Sequence, residues 1–158
     1  MTRLPALGPR GEGWVLIQLV LFLLLVAAGS LGPAWSGAAR SVSVVVGVAM
    51  IAAGFVMALR GVVGLRDTIT PFPRPREDAT LIQSGVYARV RHPIYGGIVV
   101  ASFGWGLLTA SIPALGLAVA IWAFFTIKSM REEAWLVERF PDYPAYRART
   151  RRLIPWIG

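Results

Sequence analysis

One stretch concentrates groups able to do chemistry: Gly85-Val86-Tyr87-Ala88-Arg89-Val90-Arg91-His92-Pro93-Ile94-Tyr95-Gly96-Gly97. It holds the chain's only histidine, two arginines, two tyrosines and a proline, directly before a long apolar run. Pro93 restricts His92 to extended backbone and suits the first turn of a helix. The first amides of such a helix have no internal partner and can receive an anion. A second group follows on another predicted helix. Lys128, Arg131, Glu132 and Trp135 fall at i, i+3, i+4 and i+7 and share one face. Together the two groups offer carboxylate, cation, imidazole and phenol. There is no cysteine, which excludes disulfides, thiolate nucleophiles and Cys-ligated metal. A lone histidine excludes a His-rich metal site. Glu132 and Glu133 would need Asp67, Asp78 or Asp142 to hold a cation, and no metal is expected.

The elements that must position these groups are apolar. More than half of the 158 residues are hydrophobic and the mean hydropathy is +0.62. Runs close to 18 apolar residues indicate membrane spans. We expect an all-α, polytopic integral membrane protein forming one membrane domain over residues 1–158. Its four transmembrane helices are placed near 14–31, 42–59, 93–110 and 113–127. Met1 to Gly13 reads as a short lead. Trp14 to Leu31 is longer than a signal-peptide core. Gly47, Ala53 and Gly54 in the second span permit close helix approach and would allow a homodimer. Ser111-Ile112-Pro113 makes the third and fourth spans a hairpin.

Between the second and third spans lies a polar loop, Arg60 to Arg91. Its prolines at 71, 73 and 75 exclude a regular helix, so an extended segment along the membrane surface is expected. Ala79 to Ile82 reads as short and strand-like. The fourth helix is expected to continue past Ile127 through Lys128 to Phe140. Pro141 to Pro144 would break it, Tyr146 to Arg152 would form a basic helical tail, and Leu153 to Ile157 would return to the interface.

With four spans, fifteen of the sixteen Lys and Arg fall on one side, and only Arg40 on the other. This bias places both termini and the long loop in the cytoplasm. It also brings the His92 loop and the Glu132 tail to the same face. The net charge of +8 is explained by the same bias. No basic stripe interleaved with aromatics appears, so no nucleic-acid partner is expected. Rossmann, Walker and Gly-x-Ser-x-Gly patterns are absent. Plainer readings are a histidine that merely caps a helix and bonds a loop carbonyl, tyrosines that sit at the interface, and a solvated helix with surface ion pairs.

At these residues the sequence resembles the isoprenylcysteine carboxyl methyltransferases and, more distantly, the phospholipid N-methyltransferases. The matching blocks are Ser84-Gly85-Val86-Tyr87, Arg91-His92-Pro93-Ile94-Tyr95-Gly96, the hairpin, Glu132-Glu133 with Leu136 and Phe140, and Tyr143 with Tyr146 before Ile154-Pro155. They cover about residues 70–157. The resemblance implies a membrane enzyme dependent on S-adenosylmethionine, releasing S-adenosylhomocysteine. The loop and helical tail would form the cofactor site. Ala79, Thr80, Leu81, Ile82, Tyr87, His92, Pro93, Ile94 and Tyr95 would hold the cofactor, and Glu132 would take its ammonium group. Arg91, Lys128 and Glu133 are the candidate catalytic residues. Two positions depart from the family. Lys128 stands near an arginine that meets the substrate, keeping the charge without the bidentate fork. Thr150-Arg151-Arg152 stands where Val-Pro-Arg is common.

A sulfonium methyl donor is already electrophilic, so transfer needs in-line positioning more than a metal or covalent intermediate. A carboxylate acceptor needs no strong base, whereas an amine must lose a proton, for which Glu133 or His92 is available. The expected acceptor is a lipophilic small molecule or prenylated substrate entering from membrane lipid. Competing readings are a phospholipid amine methyltransferase, an NADPH-dependent membrane reductase and a non-enzymatic membrane subunit. Arginine replaces lysine almost everywhere, which points to a GC-rich prokaryotic genome and a plasma-membrane location.

Overall fold

The computed structural model describes residues 5, 7–32, 34–65 and 80–155. Ala79, the extended segment expected over 70–76, Asp67, Asp78, and Trp156 and Ile157 lie outside them. Among the described residues the chain is helical, with two isolated backbone bridges and no strand. Five α-helices follow in order: α1 (Glu12–Leu31), α2 (Ala38–Leu65), α3 (Pro93–Leu108), α4 (Ile112–Arg139) and α5 (Tyr143–Arg149). A 3-10 turn, Gly85–Ala88, precedes α3. The segment expected to be strand-like has no assigned regular structure over Thr80–Ile82.

Three helices, α1, α2 and α4, are long and apolar enough to cross a membrane. The expected set of four is therefore three full-length helices and a shorter one. With 16 residues, α3 spans about 24 Å, less than the ~30 Å hydrocarbon core. Both α2 and α4 have 28 residues, about 42 Å each, longer than that core is thick. The part of α4 beyond its apolar run is its charged end from Lys128 onward. Leu16, Leu19 and Leu23 of α1 and Val42, Val45 and Phe55 of α2 are half or more exposed. Such an exterior would be penalised in water and is at home in lipid.

Glycines let α2 and α3 touch backbone to backbone. Gly47 and Gly54 face Gly104 and Gly97, seven residues apart on each helix. A Cβ added at Gly54 would collide with the Gly97 carbonyl and lie 2.8 Å from the Ala101 amide. The small-residue face expected to serve a homodimer is thus occupied within the chain. On the other side α1 packs on α4, with Trp14 and Phe124 rings 5.8 Å apart. Val99, Ile121 and Phe125 complete a buried apolar cluster between α1, α3 and α4.

The α3–α4 turn is as short as its sequence suggests. Ala110 adopts φ 51°, a left-handed conformation uncommon for alanine, and is completely buried. Ser111 caps α4 by accepting from the Ala114 amide at 3.3 Å. Its hydroxyl also donates to the Ala28 carbonyl at 2.9 Å, tying the turn to the end of α1. The break after α4 is narrower than Pro141 to Pro144. Pro144 sits in the first turn of α5, where a missing amide costs nothing, so the helix starts at Tyr143 rather than Tyr146.

The α2–α3 contact supplies a test. Gly54→Leu should destabilise the detergent-solubilised protein by about 1–3 kcal/mol, read as a lower thermal midpoint. Gly116→Ala in α4, with nothing within 4 Å of the added Cβ, should leave the midpoint unchanged or raise it.

Candidate active site

A cavity of about 430 Å³ opens where the start of α3, the charged end of α4 and the tail meet. This is within the range of small-molecule sites. The wall comprises Thr80, Leu81 and Ile82 before the 3-10 turn, Tyr87 within it, and Arg91 to Tyr95 at the head of α3. Lys128, Glu132 and Leu136 come from α4, Tyr143 and Tyr146 from the tail, Leu65 from α2 and Gln18 from α1. The structure therefore brings together every described candidate catalytic and cofactor-binding residue except Glu133, which lies outside the cavity wall.

His92 occupies the N-cap position of α3, yet its side chain makes no capping bond. Its ring instead stacks on Tyr95, nearly parallel, with centroids 5.5 Å apart. Its Nδ1 lies 3.9 Å from Glu132 and its Nε2 lies 3.4 Å from Glu133. The amides just before α3 are not open to an anion. Arg91 N donates to the Arg151 carbonyl at 2.8 Å and His92 N to the Arg152 carbonyl at 2.9 Å. Arg151 N returns a bond to the Arg89 carbonyl at 2.9 Å. The tail is thus paired, parallel, with the segment leading into α3. Gly96 is needed here, because a Cβ would overlap the Leu153 carbonyl.

Glu132 and Glu133 are adjacent but differently employed. Glu132 accepts a hydrogen bond from the Tyr95 hydroxyl at 2.8 Å and keeps its side chain about a quarter exposed. Glu133 is almost fully buried, 2.8 Å from Arg91 Nε, 3.4 Å from Arg152 Nε and 3.5 Å from Arg147 Nε. Burial by itself would raise its pKa. Its interactions with His92 and Arg91 outweigh that and hold the carboxyl down to about 2. Arg91 extends the link by donating to the Arg147 carbonyl at 3.1 Å and to the Thr150 carbonyl. A guanidinium at these carbonyls neutralises the C-terminal end of α5.

The tyrosines serve as braces. Tyr87 donates to the Gly61 carbonyl of α2 at 3.1 Å, and Tyr146 donates to the Tyr87 carbonyl at 2.7 Å. Tyr143 is 1 % exposed, lines the cavity, and its hydroxyl has no partner. Burial raises the phenol pKa of all three. For Tyr87 and Tyr143 nearby carboxylates add to this, and both phenols lie well above the ordinary value. For Tyr146, Arg91 and Arg149 offset part of the rise, leaving about 12.

Lys128 is 1 % exposed and donates to Gln18 at 2.7 Å. Gln18 was not singled out from sequence, although an amide in the middle of an apolar span was the available signal. The arginines of the tail were legible as charge but not as partners of Glu133. Arg131, expected on one face with Lys128, Glu132 and Trp135, stacks over Trp135 with 4.1 Å to the ring centroid and does not line the cavity.

Two measurements follow. Arg91→Ala leaves Glu133 with fewer partners, and losses of this kind reach about 3–5 kcal/mol. We expect a lower thermal midpoint and faster proteolysis after Arg139. In an absorbance titration at about pH 11, Tyr87, Tyr143 and Tyr146 should stay largely protonated, whereas all four tyrosines ionise in denaturant. The sign is set by the raised folded pKa. The stabilisation is fully present below about pH 10 and is lost as pH rises, for Tyr146 through about 12.

Comparison with known proteins places this geometry. The family model described as phospholipid methyltransferase matches residues 42–143, well over half of the chain. Protein-S-isoprenylcysteine O-methyltransferase of Schizosaccharomyces pombe is 36% identical over 83 residues, covering 51% of this chain and 35% of that protein. Protein-S-isoprenylcysteine O-methyltransferase B of Arabidopsis thaliana is 29% identical over 116 residues, 71% of this chain and 59% of the relative. The nickel-cobalt-cadmium resistance protein NccN of Alcaligenes xylosoxydans xylosoxydans is 26% identical over 145 residues, 91% and 63%. The chain thus spans about a third to under two thirds of the length of these relatives. A solved structure of a eukaryotic intramembrane Ras methyltransferase, isoprenylcysteine carboxyl methyltransferase, shares the fold with a TM-score of 0.66 at 19% identity, covering 95% of this chain and 55% of that one. With its helical order, its paired tail and the family match through α2, α3 and α4, the chain belongs to the phospholipid methyltransferase family.

Proposed function

We propose that this chain transfers a methyl group from S-adenosylmethionine to a lipophilic acceptor at the membrane, in the manner of an isoprenylcysteine carboxyl O-methyltransferase. The observation that carries this reading is the cavity at the head of α3, where the Glu132 carboxylate and the stacked His92 and Tyr95 rings meet the tail. The residues fit such a donor. The unpartnered Tyr143 hydroxyl in the wall offers a hydrogen bond, and Glu132 offers a carboxylate to an ammonium. Aromatic faces suit a sulfonium cation. Thr80, Leu81 and Ile82 supply wall for the nucleoside end. When bound, S-adenosylmethionine supplies an electrophilic methyl group, whose carbon–sulfur bond breaks with the electron pair leaving on sulfur as S-adenosylhomocysteine forms.

In this reading the chain's own residues bind, orient and exclude water. Tyr95 fixes Glu132 by its hydroxyl, and His92 stacks behind Tyr95. Lys128 meets the acceptor. Arg91 and Glu133 hold the tail over the site and act as positioning residues. With Arg91, Arg147, Arg152 and His92 gathered on it, Glu133 has little remaining basicity for an amine acceptor. This favours an acceptor that is already an anion, a carboxylate that forms an oxygen–carbon bond without losing a proton. We further place four crossings, α1 to α4, in the bilayer, with the cavity and both termini on the cytoplasmic side and the short α3 accommodated by local thinning. The lipophilic part of the acceptor enters from the lipid between helices.

Calorimetric titration of detergent-solubilised protein with S-adenosylmethionine is the test. Saturable binding is expected, weakened at least about tenfold by Glu132→Ala and about threefold to tenfold by Tyr95→Phe. Methyl transfer to N-acetyl-S-farnesylcysteine should exceed transfer to phosphatidylethanolamine. Saturable NADPH binding in place of S-adenosylmethionine would move the assignment to a reductase. Unchanged function in His92→Ala and Glu132→Ala would leave a non-enzymatic subunit.

A further inference from the structure

The chain contains fifteen arginines and one lysine, and the lysine is residue 128. It is also among the most deeply buried side chains, 1 % exposed, in the cavity wall. Among the described residues no carboxylate forms an ion pair with it, although three arginines and His92 gather around Glu133 nearby. Its hydrogen bond goes to a neutral oxygen, Gln18 Oε1, at 2.7 Å. The rings of Tyr95 and Phe125 flank the ammonium with centroids 5.2 and 5.7 Å away. An ammonium has three donors. Gln18 takes one and aromatic faces confine the group, while Glu132 acts on the charge from a distance without pairing with it.

Gln18 is unusual in its own element. From Trp14 to Leu31 the α1 sequence is apolar apart from Gln18 and Ser30. Gln18 lies on the inward stripe, four residues after Trp14, three before Leu21 and seven before Leu25, all of which pack in the core. A polar amide there is costly without a partner. A glutamate at this position would have neutralised the lysine, and a leucine would have left its ammonium without a fixed direction.

We propose that Gln18 is a positioning residue for the acceptor: its side-chain oxygen aims the Lys128 ammonium at the cavity, where that ammonium receives the carboxylate of the lipophilic substrate. This rests on the methyl-transfer reading for the identity of the acceptor. It gives α1, which lies outside the matched family region, a share in choosing the substrate.

Because lysine occurs once, protein made with [15Nζ]lysine carries a single side-chain ammonium label. Titration with N-acetyl-S-farnesylcysteine should move that resonance saturably, and its uncharged methyl ester should not. Gln18→Leu should raise the Kd for the acid, and its KM, about fivefold or more, with kcat and the S-adenosylmethionine Kd within about twofold. Gln18→Glu should weaken acid binding as well, since its carboxylate would satisfy Lys128 directly. Equal shifts with acid and ester would overturn the proposal. So would wild-type affinity for the acid in folded Gln18→Leu. Should that variant fail to fold, Gln18→Glu and the acid–ester comparison on the wild type decide. The two readings fail separately. An acid-induced shift without S-adenosylmethionine binding removes methyl transfer and leaves the anion site, whereas S-adenosylmethionine binding without the shift does the reverse.

Discussion

The buried carboxylate of Glu133 is the constraint on which the site depends. Burying a carboxylate is expensive unless it is paired and hydrogen-bonded. Here the partners come from two places far apart in sequence, Arg91 and His92 before α3 and Arg147 and Arg152 in the tail. Satisfying one charge therefore requires the tail to lie against the head of α3. The backbone pairing of Arg91 and His92 with Arg151 and Arg152 follows the same alignment. Once that contact forms, Tyr143 and Tyr146 become cavity wall, and Glu132, one residue away, is carried into the opening.

The helices beneath supply a rigid base by a different force. Lipid gives little hydrophobic drive for helix association, so close packing must do the work. The matched glycines of α2 and α3 allow that contact, and Tyr87 extends it upward by bonding to the Gly61 carbonyl. The consequence is directional. The apolar part is held by backbone contact, the polar end by charge, and the cavity lies at the seam. A lipophilic acceptor with a charged end needs a place where both environments are within one molecule's length.

Much of this was legible before any coordinates. Helix positions followed from apolar length, and the hairpin followed from Ser111-Ile112-Pro113. Convergence of His92 and Glu132 followed from the hairpin. The i, i+4 spacing put Glu132 on the face of Lys128; what did not follow was that Glu133, expected as a catalytic residue, lies outside the cavity wall and fastens the tail. A helix turns about 100° per residue, so adjacent glutamates face different ways, and the spacing within α4 does not mark the tail arginines that receive Glu133. Gln18 was hidden for a related reason, because its partner lies more than a hundred residues away. The start of α5 was misplaced because Pro144 read as a breaker, although the first helical turn accepts proline. The expected dimer face was misassigned because small residues announce close packing without naming the partner.

The two glutamates also bear on the kind of acceptor this fold can serve. An amine must give up a proton before or during transfer, so a site for it needs a base with a free lone pair near the reacting nitrogen. Glu133 lies outside the wall and spends its charge on cations, while Glu132 is held by Tyr95 at the edge of the opening. If Glu132 takes the ammonium of the donor, neither glutamate is left to take a proton. An acceptor that arrives as an anion avoids the difficulty and instead needs a counter-charge, and the counter-charge in the wall not already tied to a carboxylate is Lys128. The division of labour between neighbouring residues, one fastening the tail and one serving the cavity, thus argues for oxygen rather than nitrogen as the atom methylated.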